Sequence, residues 1–245
     1  MSQESVSLRT ADGVVDAFVY RPPQGGGPGV LHLTDIHGLR STSHELAERV
    51  AAEGFVVLAP NVFYRTRRPP LFDFPVVFGE PRTTQRFGEL VGPLTPDAIE
   101  HDARAYTQYL AALPGVVGKA QGVVGYCYTG GVALRMAAAC PERLLAVASF
   151  HGGNLLTAAP TSPHLVLPRV KAQLYFGHAS EDKSMPAPAI EQLAAALAAW
   201  GGRYENETYP AKHGWTMRDS AAYSEPDAER AYTKQLALLR TLSQH

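Results

Sequence analysis

Short apolar runs and segments of helical periodicity alternate along most of the chain. Runs typical of strands buried on both faces occupy residues 30–35, 55–60, 121–126, 145–150 and 172–177. Amphipathic helices are predicted between and after them, over 42–54, 95–113, 129–139, 187–200 and 225–243. Strands that alternate with helices of this length are typical of a mostly parallel central sheet with helices on both faces. The pattern therefore predicts an α/β fold.

Three shorter segments complete this prediction. Residues 5–9 and 14–20 have the composition of two strands joined by a tight Asp-Gly turn, which predicts a hairpin. Residues 203–209 alternate between polar and apolar positions and predict a further strand. The glycine- and proline-rich residues 21–29 are expected to form a loop.

Capping signals support several of the helices. Thr42 and Glu45 have the spacing of a capping box, and Gly54 is suited to the end of that helix. Thr95 precedes a proline, as expected of an N-cap, and Ser224 is expected to open the last helix.

Residues 61–94 interrupt the alternation and carry scattered arginines, prolines and aromatic residues. We expect a loop or a short helix there. Long insertions between regular elements are often binding loops or lids, so this segment is expected to shape a substrate site. No repeat or linker divides the chain, and residues 1–245 are predicted to form a single domain.

Composition excludes several classes of function. The 22 Lys and Arg residues balance 23 Asp and Glu residues, so the chain has no electrostatic footprint for nucleic acid or for an anionic membrane. Two cysteines support neither a disulfide framework nor a zinc site. No metal or other cofactor is expected.

The chain also lacks the signals of export and membrane insertion. Its first ten residues contain no apolar signal segment, and no apolar run approaches the ~18–20 residues of a membrane span. We therefore expect a cytoplasmic protein, either a monomer or a homodimer, whose partner is a small molecule.

The motif with the clearest chemical meaning is GYCYTGG at residues 125–131. It follows an apolar strand and opens a helix, which is the context of a nucleophile elbow. A tight strand-to-helix turn would expose Cys127 above the sheet edge, and the helix N-terminus would favour its thiolate. A free cysteine is otherwise usually a small buried apolar residue, the interpretation retained for Cys140.

A cysteine nucleophile requires a base, and the base requires an acid that orients it. In α/β-hydrolases the order along the chain is nucleophile, acid, histidine. Asp182 follows one predicted strand and His213 follows the next, where an open α/β sheet places its ligand chemistry. Glu181 competes with Asp182 for the role of the acid.

An acyl-transfer intermediate also requires donors for its oxyanion. The backbone N–H of Tyr128 is expected to provide one, and that of Ile36, after the strand at 30–35, the other. Asp35 and His37 flank this second position. For Asp35, a role as a turn former at the end of the strand and a functional role are equally compatible with the sequence.

The chain resembles the dienelactone hydrolase family over nearly its whole length, from about Val14 to the last helix. Five segments carry the resemblance in the same order and spacing: Asp35-Ile36-His37-Gly38, AAEGFVVLAPNVFYR, GYCYTGG, GHASEDKSMP and His213-Gly214. The resemblance implies an α/β-hydrolase fold and a Cys-His-Asp triad that opens lactones or cleaves small esters.

The family pattern also assigns roles to residues. It implies Cys127 as nucleophile, His213 as general base and acid, and Asp182 as the orienting acid. Asp182 is favoured over Glu181 because it lies four residues before Pro186, as in the family.

The chain departs from the family at several positions. Family members carry a glutamate at the position of Asp35 and a glycine at the position of Thr129. The family's glutamate modulates the thiol, and the resemblance implies Asp35 as the thiol-modulating residue of this chain. Family members bind a substrate carboxylate with arginines, for which Arg65, Arg82, Arg86 and Arg218 are candidates without a convincing match. The expected substrate contacts are His37, Tyr64, Arg86, His151, Trp215 and Arg218.

Two other functions remain open from the sequence. A non-catalytic small-molecule binding protein could share the fold, because a fold alone does not establish activity. A redox-responsive thiol at Cys127 would rely on the same local chemistry, although no resolving cysteine lies near it in sequence.

Overall fold

One sheet of eight strands forms the centre of the computed structural model, which describes residues 2–244. In chain order the strands are β1 (Ser2–Thr10), β2 (Gly13–Arg21), β3 (Gly27–Leu33), β4 (Val56–Pro60), β5 (Val116–Tyr126), β6 (Leu144–Phe150), β7 (Gln173–Glu181) and β8 (Tyr204–Lys212). Their order across the sheet is β1-β2-β4-β3-β5-β6-β7-β8. The first two strands form an antiparallel hairpin, β2 pairs antiparallel with β4, and the remaining neighbours are parallel.

Six α-helices accompany the sheet within these residues: α1 (Ser41–Ala52), α2 (Pro81–Val91), α3 (Pro96–Ala112), α4 (Tyr128–Ala139), α5 (Ala187–Trp200) and α6 (Glu225–Arg240). Short 3-10 helices occupy Pro163–Arg169 and Thr241–Gln244. The predicted hairpin, parallel sheet and helices are confirmed, with strands longer than expected at several ends. No helix in residues 2–244 is long and apolar enough to cross a bilayer.

The two faces of the sheet are covered by different helices. Because successive side chains point to opposite faces of a strand, Leu31 and Val123 pack in a core with α3, α4 and α5. Val30 and Val124 pack in a second core with α1 and α6. All four side chains are fully buried, which explains why their strands are continuous apolar runs rather than alternating ones.

Two local predictions are wrong. The loop expected over 21–29 ends early, since β3 begins at Gly27, where the chain runs close against Gly54. A Cβ on Gly27 would lie 2.9 Å from the Gly54 carbonyl carbon, so the glycine serves a close backbone approach. The N-cap of α1 is Arg40 rather than Thr42, and Ser43 Oγ accepts a 2.8 Å hydrogen bond from the Arg40 N–H.

The insertion predicted over 61–94 combines both expected forms. Residues 61–80 contain turns without regular structure, and α2 follows. The ring of Phe87 contacts those of Phe78 and Phe72 here, with centroids 5.7 Å and 6.0 Å apart. The insertion thus places an aromatic cluster beside the loop that follows β3.

Candidate active site

A cavity of about 1370 Å³ opens at the carboxyl ends of the parallel strands. Residues from the ends of β3, β5, β6, β7 and β8 line it, among them Ile36, Cys127, His151, Asp182 and His213. This is the edge of an open α/β sheet at which ligands bind. The structure therefore brings Cys127, Asp182 and His213 to one cavity, although 55 and 31 positions separate them in the sequence.

Cys127 occupies a strained turn between β5 and α4. Its backbone has φ 57° and ψ −127°, a conformation that L-residues rarely adopt. Gly125 permits the turn, because a Cβ there would lie 2.6 Å from the carbonyl carbon of Thr129. The surrounding structure thus holds the cysteine at the tip of a nucleophile elbow, half-buried and facing the cavity.

The hydroxyl of Thr129 makes hydrogen bonds within this elbow. This hydroxyl accepts a 2.9 Å hydrogen bond from the Tyr126 N–H and lies 2.9 Å from the Tyr126 carbonyl oxygen and 3.3 Å from the Leu33 carbonyl oxygen, both acceptors. The side chain is fully buried, so every one of these contacts is shielded from water. Threonine at this position is therefore compatible with the turn.

His213 and Asp182 form a close pair. The distance from His213 Nδ1 to Asp182 Oδ2 is 2.6 Å, and the Asp182 carboxylate is nearly inaccessible. Its other oxygen accepts hydrogen bonds from the Ser184 N–H at 2.8 Å and the Ser184 hydroxyl at 2.6 Å. Burial raises the pKa of Asp182, but His213 and these donors outweigh it and hold the pKa below its usual value. Glu181, by contrast, is exposed.

The same pairing governs the charge of His213. Burial lowers its pKa, but the carboxylate of Asp182 and the sulfur of Cys127 both favour the protonated ring and raise the pKa to about 10. The ring is therefore predominantly an imidazolium at neutral pH. An imidazolium beside a thiol stabilises the thiolate.

His151 has the opposite environment. It is fully buried, and burial together with the charge of His213 lowers its pKa to about 3. Its Nδ1 accepts a 3.1 Å hydrogen bond from the Cys127 N–H, so the ring proton lies on Nε2, 2.8 Å from the Thr216 hydroxyl. His151 is thus a neutral ring that braces the backbone of the elbow.

The two residues predicted to donate backbone N–H groups to an oxyanion, Ile36 and Tyr128, both line this cavity. Tyr128 is the first residue of α4, where an N–H has no partner within the helix, and it lines the cavity next to Cys127. Ile36 lines the same cavity from the loop after β3. His37 follows it there, and its backbone N–H donates to Asp35 Oδ1 at 3.0 Å.

Asp35 is paired with Arg40 rather than with the thiol. The guanidinium donates to both carboxylate oxygens, at 2.6 and 3.0 Å. Burial raises the pKa of Asp35, but His37 and Arg40 outweigh burial and hold it far below its usual range. Among the hydrogen bonds of residues 2–244, none joins Asp35 to Cys127, and the role of Asp35 in modulating the thiol stays a prediction.

Four predicted substrate contacts lie outside this cavity. Tyr64 donates to Asp102 at 3.0 Å, and Arg86 donates to the Leu71 carbonyl and to Glu89. Trp215 is fully buried beneath His151, with ring centroids 5.1 Å apart. Arg218 lines a separate cavity of about 320 Å³ between α1 and α6. His37 and His151, the other two predicted contacts, line the cavity that holds Cys127.

The sequence reasoning missed Arg40, Asp219 and Ser184. Ser184 carried a recognisable signal, because a serine two residues after an aspartate is suited to an Asx-type turn. Arg40 and Asp219 carried none, since their contact joins loops 179 positions apart. Within the described part of the chain, no group of three or more His, Cys, Asp or Glu side chains has the arrangement of a metal site.

Solved structures define the class of fold. A crystal structure described as a "putative dienelactone hydrolase" from Klebsiella pneumoniae superposes with a TM-score of 0.86, at 22% identity over 98% of each chain. The dienelactone hydrolase-like promiscuous phosphotriesterase P91 from metagenomic libraries has a TM-score of 0.77, at 20% identity over 99% of each chain. The protein thus has the predicted α/β-hydrolase fold.

Sequence comparison identifies the family. The model of the dienelactone hydrolase family matches residues 15–243, and the chain belongs to this family. A Synechocystis protein named "putative carboxymethylenebutenolidase" is 29% identical over 89% of this chain and 87% of its own length. A protein of the same name from Escherichia coli K12 is 24% identical, over 90% and 80%. The protein is therefore a hydrolase that acts on lactones or esters.

Proposed function

We propose that the protein hydrolyses its lactone or ester substrate through a thioester on Cys127, with His213 as the proton-transfer group and Asp182 as its orienting acid. The observation that carries this proposal is the 2.6 Å pair of His213 and Asp182, in the cavity that also receives Cys127 from its strained turn. Covalent acyl transfer requires a nucleophile, a base and an orienting acid, and these three residues have the side-chain types that suit those roles.

The first half-reaction forms the acyl-enzyme. The thiolate sulfur of Cys127 bonds to the substrate carbonyl carbon, and the carbonyl electron pair moves to its oxygen. The Tyr128 and Ile36 N–H groups are assigned as donors to that oxyanion. When the intermediate collapses, the bond to the alcohol oxygen breaks, and His213 gives that oxygen a proton. A lactone opens at this step, and an ester releases its alcohol.

Water completes the cycle. His213, now neutral, accepts a proton from water, whose oxygen bonds to the thioester carbon. Collapse of this second intermediate breaks the carbon–sulfur bond and returns Cys127 as thiolate beside protonated His213. Since a thiolate is also a good leaving group, this chemistry suits activated esters and lactones better than amides.

The test is hydrolysis of p-nitrophenyl acetate and of a dienelactone by the wild type, Cys127→Ala and Cys140→Ala. Cys140 is the matched control, because it lies at the end of α4, outside the cavity. Loss of turnover in Cys127→Ala alone is expected. Equal rates in all three proteins would contradict the proposal.

A further inference from the structure

One side of the cavity is an aromatic wall formed by His37, Val76, Phe78 and Phe87. The rings of His37 and Phe78 have centroids 6.3 Å apart, and those of Phe78 and Phe87 are 5.7 Å apart. Phe78 is 70% exposed although its neighbours hold it in place. An ordered aromatic face left open beside a reactive centre is suited to stacking against a flat apolar group of the substrate.

A charge cluster of Asp35, Arg40 and Asp219 lines the same cavity next to this wall, with His37 Nδ1 3.6 Å from Asp35 Oδ2. Arg40 Nε and Nη2 donate to Asp219 at 2.6 and 3.0 Å, and Nη1 and Nη2 donate to Asp35 at 2.6 and 3.0 Å. Nη1 also donates to the Gly38 carbonyl at 3.4 Å. These five bonds occupy all five N–H groups of the guanidinium. Two carboxylates around one guanidinium leave the cluster with a net charge of −1.

The other cations of the cavity are His213, Lys183 and Lys212, and the charge of His213 is balanced by Asp182, which lies 2.6 Å from it. Lys183 and Lys212 lie at the rim of the cavity and are exposed, so water and salt screen them. Among the arginines suggested by the sequence, Arg65 is bound to Asp12 and Asp102, and Arg82 lies over the ring of Phe74. A substrate carboxylate beside the cluster would meet Asp35 and Asp219 without a free guanidinium to pair with.

We propose that the substrates are neutral esters or lactones bearing an aromatic or similarly flat apolar group. That group stacks on the aromatic wall, and the charge cluster disfavours substrates that carry a carboxylate. This assignment rests on the function proposed above and specifies the substrate class of the same site. Like charges placed together in a partly buried site cost enough to exclude the wrong ligand.

The charge preference is tested with 4-carbamoylphenyl acetate and 4-carboxyphenyl acetate. The two esters are nearly isosteric, and each rate is normalised to the reaction of that ester with a small free thiol. We expect kcat/KM to be higher for the neutral ester by about tenfold. An equal or higher value for the carboxylate ester would overturn the charge assignment.

Asp219→Asn identifies the source of that preference. The variant removes one negative charge and frees part of the Arg40 guanidinium. The ratio of kcat/KM for the neutral ester to that for the anionic ester should therefore fall at least threefold, by about 0.65 kcal/mol. Asp73→Asn is the matched control, because Asp73 pairs with Arg67 at 3.2 Å outside the cavity. The same ratio in both variants would overturn the role of the cluster.

The aromatic wall is tested through the ratio of kcat/KM for phenyl acetate to that for methyl acetate. Phe78→Ala should lower this ratio several-fold, mainly through a higher KM for the phenyl ester. Phe74→Ala is the matched control, since Phe74 packs on Phe72 and Arg82 and does not line the cavity. Equal ratios in the two variants would overturn the wall as the subsite.

The Cys127→Ala variant separates this inference from the proposed function. If it hydrolyses the aryl acetates as fast as the wild type, the covalent mechanism itself fails. If hydrolysis depends on Cys127 but the anionic ester is preferred, the mechanism stands and only the substrate class is wrong.

Discussion

The buried carboxylate of Asp182 extends the pH range over which His213 stays protonated. Because the pKa of His213 is raised to about 10, the imidazolium is present through neutral pH and is lost only as the pH rises through that value. Asp182→Asn removes one of the charges that raise it, so the basic limb of the kcat/KM profile should move to lower pH. Turnover at pH 7 should also fall by orders of magnitude.

Ser184→Ala is the control for that profile. It removes one hydrogen bond to Asp182 but leaves the carboxylate charge beside His213, so the basic limb should move less than in Asp182→Asn. A limb that stays at the same pH in Asp182→Asn would contradict the role of Asp182.

The two cysteines should differ in their reaction with iodoacetamide at pH 7. Cys127 faces the cavity beside the His213 imidazolium, whereas burial raises the pKa of Cys140. Peptide mapping should find Cys127 alkylated at least about ten times faster, because the thiolate is the reacting form. Comparable rates for the two thiols would show that the imidazolium does not activate Cys127.

Sequence alone could identify the reacting residues but not their surroundings. Cys127 was recognisable because its signal is local: a strand, three glycines and a helix within one short segment. Asp182 and His213 follow predicted strands whose carboxyl ends meet at one edge of the sheet. The Arg40–Asp219 contact joins residues far apart in sequence, and no periodicity encodes such a pairing.

At the scale of elements, the elbow between β5 and α4 depends on Gly125. Gly125→Ala would place a Cβ 2.6 Å from the Thr129 carbonyl carbon, and backbone cannot move aside cheaply. We expect the free energy of unfolding to fall by about 1–3 kcal/mol or more. Urea denaturation monitored by circular dichroism measures this change.

Gly88→Ala is the matched control within α2. A Cβ there meets no heavy atom within 4 Å, so the substitution should stabilise the protein by about 0.5–1 kcal/mol through helix propensity. Similar stability of Gly125→Ala and Gly88→Ala would mean that the elbow does not require glycine.

Element prediction succeeded where burial and periodicity agree. The strands buried on both faces gave continuous apolar runs, and α3 gave a clear N-cap, with Thr95 accepting from the Ala98 N–H at 3.2 Å. It failed where a residue serves a long-range contact. Gly27 looked like a loop residue, yet it is the start of β3 pressed against Gly54. The aromatic rings of 61–80 also make tertiary contacts, such as that between Phe78 and Phe87, which no local pattern reports.

At the scale of the whole molecule, both helical layers pack on one continuous sheet. Core residues on either face belong to the same strands, so loss of packing on one face would destabilise the strands against which the other layer packs. We expect a single cooperative unfolding transition, with equal calorimetric and van't Hoff enthalpies in scanning calorimetry. Two separated transitions would contradict the prediction that residues 1–245 form one domain.

The most direct test of the mechanism is to find the acyl group on the enzyme. The protein is mixed with p-nitrophenyl acetate, quenched in acid within the first turnovers, and measured by intact-mass and peptide mass spectrometry. The mechanism predicts one acetyl group per chain as a thioester on Cys127, absent in Cys127→Ala and retained in Cys140→Ala. An acetyl group on another residue, or rapid turnover with Cys127 unmodified throughout, would contradict it.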